Sequence, residues 1–183
     1  MKDRGKLLMF FLIGSEAFFF IALIIAYVYY RNFTGATDMV AHFLNVKRAT
    51  ILTAGLVLSS FTLIRSKKNL LKGRWKKAKL YMGGTIILAA VFLAGQMMEY
   101  IELYHKQVTI SKNVFGSSFF TLTGFHGLHV IMGLIAISLL FGFSFGKFKV
   151  LTVAGIGSVE AYWHFVDIVW LCVYTYVYLT PLL

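Results

Sequence analysis

Six of the ionisable side chains inside the long apolar runs of this chain stand out: Glu16, Glu99, His126, His129, His164 and Asp167. A charged side chain at the centre of a bilayer costs at least about 2.5–3.5 kcal/mol. Each of the six must therefore be neutral, paired or turned toward protein. Glu16 is the only charged residue between Lys6 and Arg31, and Met9, Leu12, Phe20, Leu23 and Tyr27 share its helical face. We expect its carboxyl to be protonated, closely paired or in contact with another subunit. Two roles are open to it, a proton-exchanging group or a neutral carboxyl bonded inside a bundle. His126 and His129 form an H-x-x-H pair one helical turn apart, a spacing that could ligate a metal. With His164 and either Glu160 or Asp167 there are enough ligands on paper. Histidines bonded to neighbouring helices are far commoner, and ligand types alone do not establish a metal's geometry. No metal is expected.

The elements that must carry these groups are transmembrane helices. Hydrophobic residues make up 59% of the 183 and charged residues 14%, too little polar surface for a soluble domain of this size. Five apolar spans emerge, roughly 7–30, 46–64, 80–104, 117–145 and 158–180, each near or above the ~20 residues of a spanning helix. The fold class predicted is an all-α membrane bundle of five transmembrane helices, one domain over residues 1–183. Met1–Lys6 is basic and precedes an apolar run, but Leu7–Tyr30 is longer than a signal-peptide core and no small-residue cleavage site follows. It reads as a retained helix. The net charge of +11 gathers in short segments between apolar runs, so no nucleic-acid partner is expected. Cys172 reads as a small buried hydrophobe.

Spacing assigns faces. In the fourth span Ser117, Thr121 and Gly124 share one face, and His126, His129 and Gly133 lie nearly opposite. Small residues allow close helix approach and intramembrane polar groups turn inward, so this helix should have neighbours on both sides. In the fifth span Glu160, His164, Asp167, Leu171, Tyr174 and Tyr178 make one stripe, flanked by Trp163 and Trp170. His164 and Asp167 are placed to pair. Gln96 and Glu99 share a face in the third span, while Glu102 reads as a solvated helix end. In the second span Ala54, Gly55, Ser59 and Ser60 read as packing residues without chemistry. No nucleophile–base pair, phosphate loop or haem-attachment motif is present. A small transporter or channel built on Glu16, Glu99 and Asp167 is one class of function, although no internal repeat favours it.

Four motifs, in order, point to another. SEAFFF at Ser15–Phe20, QMMEY at Gln96–Tyr100, GSSFFTLTGFHGLHVIMG at Gly116–Gly133 and YWHFVDIVWL at Tyr162–Leu171 together resemble subunit III of the haem–copper respiratory oxidases, in a short bacterial form. The resemblance implies a non-catalytic accessory subunit of a proton-pumping terminal oxidase of the bacterial plasma membrane, in cytochrome c oxidases and quinol oxidases alike. It implies that haems and copper belong to subunits I and II, with no cofactor in this chain. The implied partners are subunit I as the main contact, subunit II, a small subunit IV and bound phospholipid. The implied role is support of proton uptake and protection from inactivation during turnover. Glu16 matches the family's buried, carbodiimide-reactive carboxyl. Glu99, His126, His129, His164 and Asp167 match motif positions of a polar seam that contacts lipid or subunits. Glu160 departs from the pattern, because the family's Glu lies a few residues earlier. The chain starts at the equivalent of the third of seven helices in longer members. Helices of a neighbouring polypeptide, or held phospholipid, are therefore expected beside the first span.

Orientation follows from Lys and Arg. Three precede the first span, eight lie between Arg65 and Lys79, and Lys147 and Lys149 follow the fourth span, making thirteen on one side. Arg31, Lys47, Arg48, Lys106 and Lys112 make five on the other. The positive-inside rule places the N-terminus inside and the C-terminus outside. The eight-charge segment also suits anionic headgroups. A reporter fused after Leu183 should read external. A cytoplasmic signal would overturn the helix count and the orientation together.

Overall fold

The computed structural model describes residues 2–34, 44–108, 114–146 and 149–180. These form α1 (Lys2–Thr34), α2 (Val46–Leu71), α3 (Trp75–His105), α4 (Val114–Phe143) and α5 (Lys149–Tyr174), which continues as a π-helical turn over Thr175–Leu179. No strand occurs among the described residues, and all five helices are long and apolar enough to cross a membrane. The five-helix, all-α expectation holds, but three boundaries move. The basic run from Arg65 to Lys79 is not a loop. Its residues extend α2 and α3, which are joined only by Lys72–Gly73–Arg74. Gly73 takes φ 70°, with Gly73 N–H donating to the Leu70 carbonyl at 3.0 Å and Arg74 N–H to the Asn69 carbonyl at 2.9 Å. That is a Schellman stop, which glycine enters without a Cβ penalty. The same motif ends α3, where Val108 N–H reaches the Leu103 carbonyl at 3.0 Å and both side chains are buried. Here the left-handed position is held by Gln107, φ 63°. The fifth helix begins at Lys149 rather than near 158. Gly155 and Gly157 are carried because Thr152 and Ile156 are buried, and Thr152 Oγ1 donates to the Leu140 carbonyl at 3.2 Å.

Helices α4 and α5 lie at the middle of the bundle. α5 packs on α1, α2 and α4; α4 packs on α1, α3 and α5; α2 and α3 form the most extensive antiparallel pair. Lipid is as apolar as leucine, so helices associate through close packing and interhelical hydrogen bonds. The α2–α3 contact is built accordingly on Ser59, Ser66, Ala78, Thr85 and Ala89, all nearly inaccessible. Ser66 Oγ donates to the Ala78 carbonyl at 2.9 Å, and the Thr62 and Thr85 hydroxyls meet at 2.8 Å. Trp163 and Trp170 of α5 fill the centre, 0% and 1% exposed.

α1 lies at the edge. Only Phe20, Tyr27 and Arg31 are buried among its described side chains, while Phe10, Phe18 and Phe33 point outward. Arg31 crosses to α5 and donates Nη1–H to the Tyr176 carbonyl at 2.9 Å. Three finer expectations are corrected. α4 packs on three other helices, yet Thr121 is exposed together with a stripe of Phe125, Leu128, Met132, Ile135 and Leu139. Leu171 falls outside the α5 stripe and is exposed. Cys172 is exposed and not a buried hydrophobe. The last two share one cause, a face of α5 that no described helix covers, and in lipid apolar residues need no such cover.

Gly133 gives the packing a test. A Cβ there would come within 2.7 Å of the Trp163 ring, whereas one at Gly127 would meet nothing within 4 Å. We expect Gly133→Ala to destabilise the bundle by about 1–3 kcal/mol and Gly127→Ala to stay within about 0.5 kcal/mol. Thermal unfolding in detergent compares them, and equal melting would contradict the α4–α5 contact.

Candidate functional site

The six ionisable residues do not converge. They occupy three interfaces and one aromatic pocket. At the α1–α4 contact, His129 Nε2 lies 3.1 Å from Glu16 Oε2, and His129 Nδ1 lies 2.7 Å from the Phe125 carbonyl. A carbonyl only accepts, so Nδ1 carries a hydrogen. The Nε2–Oε2 contact then needs one more proton, on the imidazole or on the carboxyl. The pair is therefore a single-proton unit, either imidazolium–carboxylate or imidazole–carboxylic acid. Tyr162 Oη–H donates to the His129 carbonyl at 3.2 Å, and Phe20 stands edge-on at 4.9 Å between ring centres. The Glu16 side chain keeps 33% of its surface exposed, so the flank of the pair opens away from the chain.

His126, one turn from His129, belongs elsewhere. It is 1% exposed and stacks on Trp170 at 4.9 Å between ring centres, 28° from parallel, with the Phe92 ring edge-on at 6.2 Å. Neither ring nitrogen has a hydrogen-bond partner among the described residues. The H-x-x-H spacing thus feeds two environments, and no group of three His, Cys, Asp or Glu that could hold a metal occurs among the described residues.

The α2–α5 contact carries the longest run of polar partners. Lys67 pairs with Glu160. His164 Nδ1 lies 2.9 Å from Ser60 Oγ, which also bonds Asp167 Oδ2. Trp163 Nε1–H donates to Ser59 Oγ at 3.0 Å, Trp170 Nε1–H to Thr53 Oγ1 at 2.9 Å, and the Tyr174 and Thr50 hydroxyls meet at 2.6 Å. Beyond them Tyr178 Oη–H donates to Glu99 Oε2 of α3 at 2.6 Å. The π-helical turn carries Tyr178. At the rim, the Arg48 guanidinium bonds both carboxylate oxygens of the exposed Glu102.

His164 and Asp167 thus meet through a hydroxyl of another helix rather than directly. Glu160, displaced from the motif position, has its own cation. The sequence reading missed Ser60, Lys67, Thr53 and Thr50 as partners. A signal was present: residues 50, 53, 60 and 67 recur at 3, 7 and 7, one face of a helix, and could have been matched to the polar face of α5.

Comparison with known proteins agrees with the motifs. The family described as cytochrome c oxidase subunit III matches residues 3–181. The probable cytochrome c oxidase subunit 3 of Nocardia farcinica is 39% identical over 168 residues, covering 91% of this chain and 83% of that protein. The Bacillus subtilis cytochrome c oxidase subunit 3 is 31% identical over 182 residues, covering 98% and 88%. That of Lycodon semicarinatus is 36% identical over 180 residues, covering 93% and 67%. With a match along nearly its whole length, and with helices that place those motifs at the interfaces of a membrane bundle, the chain belongs to the cytochrome c oxidase subunit III family.

Proposed function

We propose that this chain is the accessory, non-catalytic subunit III of a proton-pumping haem–copper terminal oxidase. It lies in a bacterial plasma membrane with its N-terminus inside. It packs mainly on subunit I, with subunit II and a small subunit IV as further partners, and binds phospholipid. The haems and copper that reduce oxygen belong to subunits I and II. The observation that carries the reading is the family match over residues 3–181. The site geometry is compatible with it. Glu16, Glu99 and Asp167 lie in different helix contacts, so they do not line one path for a transported solute. The Glu16–His129 pair is a proton-holding unit whose Glu16 flank is open to a partner, which suits support of proton uptake.

Purification in mild detergent tests the assignment. The chain should co-purify with haem-bearing subunits identified by visible spectrum and mass, and the separated chain should carry no stoichiometric metal. Its appearance outside any haem complex, or metal in the separated chain, would sink it.

Glu16→Gln tests the site. An amide still bonds the imidazole, so assembly and haem spectrum should persist, with stability within about 1 kcal/mol of wild type. Proton uptake should slow or turnover lifetime shorten. If both are unchanged in an assembled complex, Glu16 is structural only.

A further inference from the structure

We propose that His164, Ser60 and Asp167 form a proton relay that rests as an uncharged chain, carboxylic acid to hydroxyl to imidazole, inside the α2–α5 contact. The geometry sets its members. Ser60 Oγ touches both neighbours, His164 Nδ1 at 2.9 Å and Asp167 Oδ2. A hydroxyl gives one hydrogen and accepts others. With no net charge on the three groups, two arrangements satisfy them all. In one, a His164 imidazolium donates Nδ1–H to Ser60, and Ser60 donates to an Asp167 carboxylate. In the other, the Asp167 carboxyl donates to Ser60, and Ser60 donates to the bare Nδ1 of a neutral His164. Two proton shifts interconvert them. The Nδ1–H bond of His164 breaks as an O–H forms on Ser60, and the former Ser60 O–H breaks as an O–H forms on Asp167 Oδ2. Protons and charge balance without a further reactant.

Asp167 decides which arrangement rests. The residue is 6% exposed, and its Oδ1 accepts no hydrogen bond from any described residue. An ionised carboxylate with one bare oxygen is costly in a dry interior. The carbonyl oxygen of a neutral acid is a weaker acceptor and loses less. The other charged groups along this contact are occupied or distant. Glu160, one turn from His164 on α5, is held by Lys67. The Glu16–His129 pair belongs to the α1–α4 contact, and Glu99 is bonded by Tyr178. His164 is half-buried while Asp167 is buried. Protons therefore reach Asp167 through His164, from the end where Lys67 and Glu160 stand.

Infrared difference spectroscopy of the assembled complex tests this without relying on turnover. The expected result is a carboxylic-acid C=O band that is absent in Asp167→Asn and shifted in frequency by Ser60→Ala, which removes the hydroxyl with little change of volume. On transfer to D2O, exchange of that band should slow about tenfold in Ser60→Ala and in His164→Asn, equivalent to about 1.4 kcal/mol. It should be unchanged in Ser66→Ala, whose hydroxyl on the same helix bonds only the Ala78 carbonyl. An Asp167 carboxylate band in the wild type overturns the neutral resting form. An acid band that ignores Ser60→Ala, or exchange unaffected by both substitutions, overturns the relay. If Asp167→Asn fails to assemble, the Ser60→Ala shift alone decides. The readout is independent of the oxidase assignment, which stands or falls on the partners that co-purify.

Discussion

The bundle depends on one constraint: a hydrocarbon interior supplies no hydrogen bonds, so a polar group there is satisfied by the protein or not at all. That makes the contact between α2 and α5 the organising one. Two tryptophan N–H groups, two tyrosine hydroxyls, a histidine and two carboxyls project from α5 and its π-helical turn, and each is answered by Thr50, Thr53, Ser59, Ser60 or Lys67 of α2 or, for Tyr178, by Glu99 of α3. The hydroxyls that answer are short, so the backbones can stay close. Sliding α5 by one turn would orphan all of these groups at once. Register is thus fixed by polar matching, which apolar packing alone does poorly when lipid is an equal competitor.

Much of this was legible in the sequence because membranes simplify the problem. Span number follows from apolar length, and Glu16, Glu99, His164 and Asp167 stand out because charge inside hydrocarbon demands a reason. The partners were not legible. His164 and Asp167, i and i+3, invite the idea of direct pairing, yet their spacing equally allows both to reach one hydroxyl on another helix. Nothing local distinguishes the cases. Ser60 looked like packing because serine serves both purposes, and only the opposing face says which. The H-x-x-H pair misled in the same way. One turn separates the two imidazoles along α4, but that turn is enough to aim one at α1 and the other at the Trp170 ring of α5. The basic run was misjudged for a different reason. Lysine and arginine are good helix formers, so charge marks the end of the apolar span without ending the helix.

The separation of the six groups into distinct contacts also bears on how the chain works within an assembly. A metal site gathers ligands to a point. Here Glu16 and His129 share one helix contact, His164 and Asp167 share another through Ser60, and Glu99 and His126 each stand apart, so a perturbation at one contact is not passed to the next by a shared ligand. The stacking of His126 between Trp170 and the edge of Phe92 joins an α4 histidine to the tryptophan column of α5, and it does so through ring faces rather than through a hydrogen bond.

The arginine near the end of α1 reaches further than its bond to the Tyr176 carbonyl first suggests. In the π-helical turn the hydrogen bonds run five residues forward, as when the Thr180 amide reaches the Thr175 carbonyl. The next carbonyl, that of Tyr176, would look to residue 181, and residue 181 is the chain's single proline, which has no N–H to offer. The guanidinium of Arg31, 145 positions away, takes that place. A side chain of one helix thus completes the backbone of another. This gives a reason for a buried cation on the side of the bundle poorer in positive charge: Arg31 is a borrowed amide, and it should not be weighed with the solvated lysines when charge is used to orient the chain.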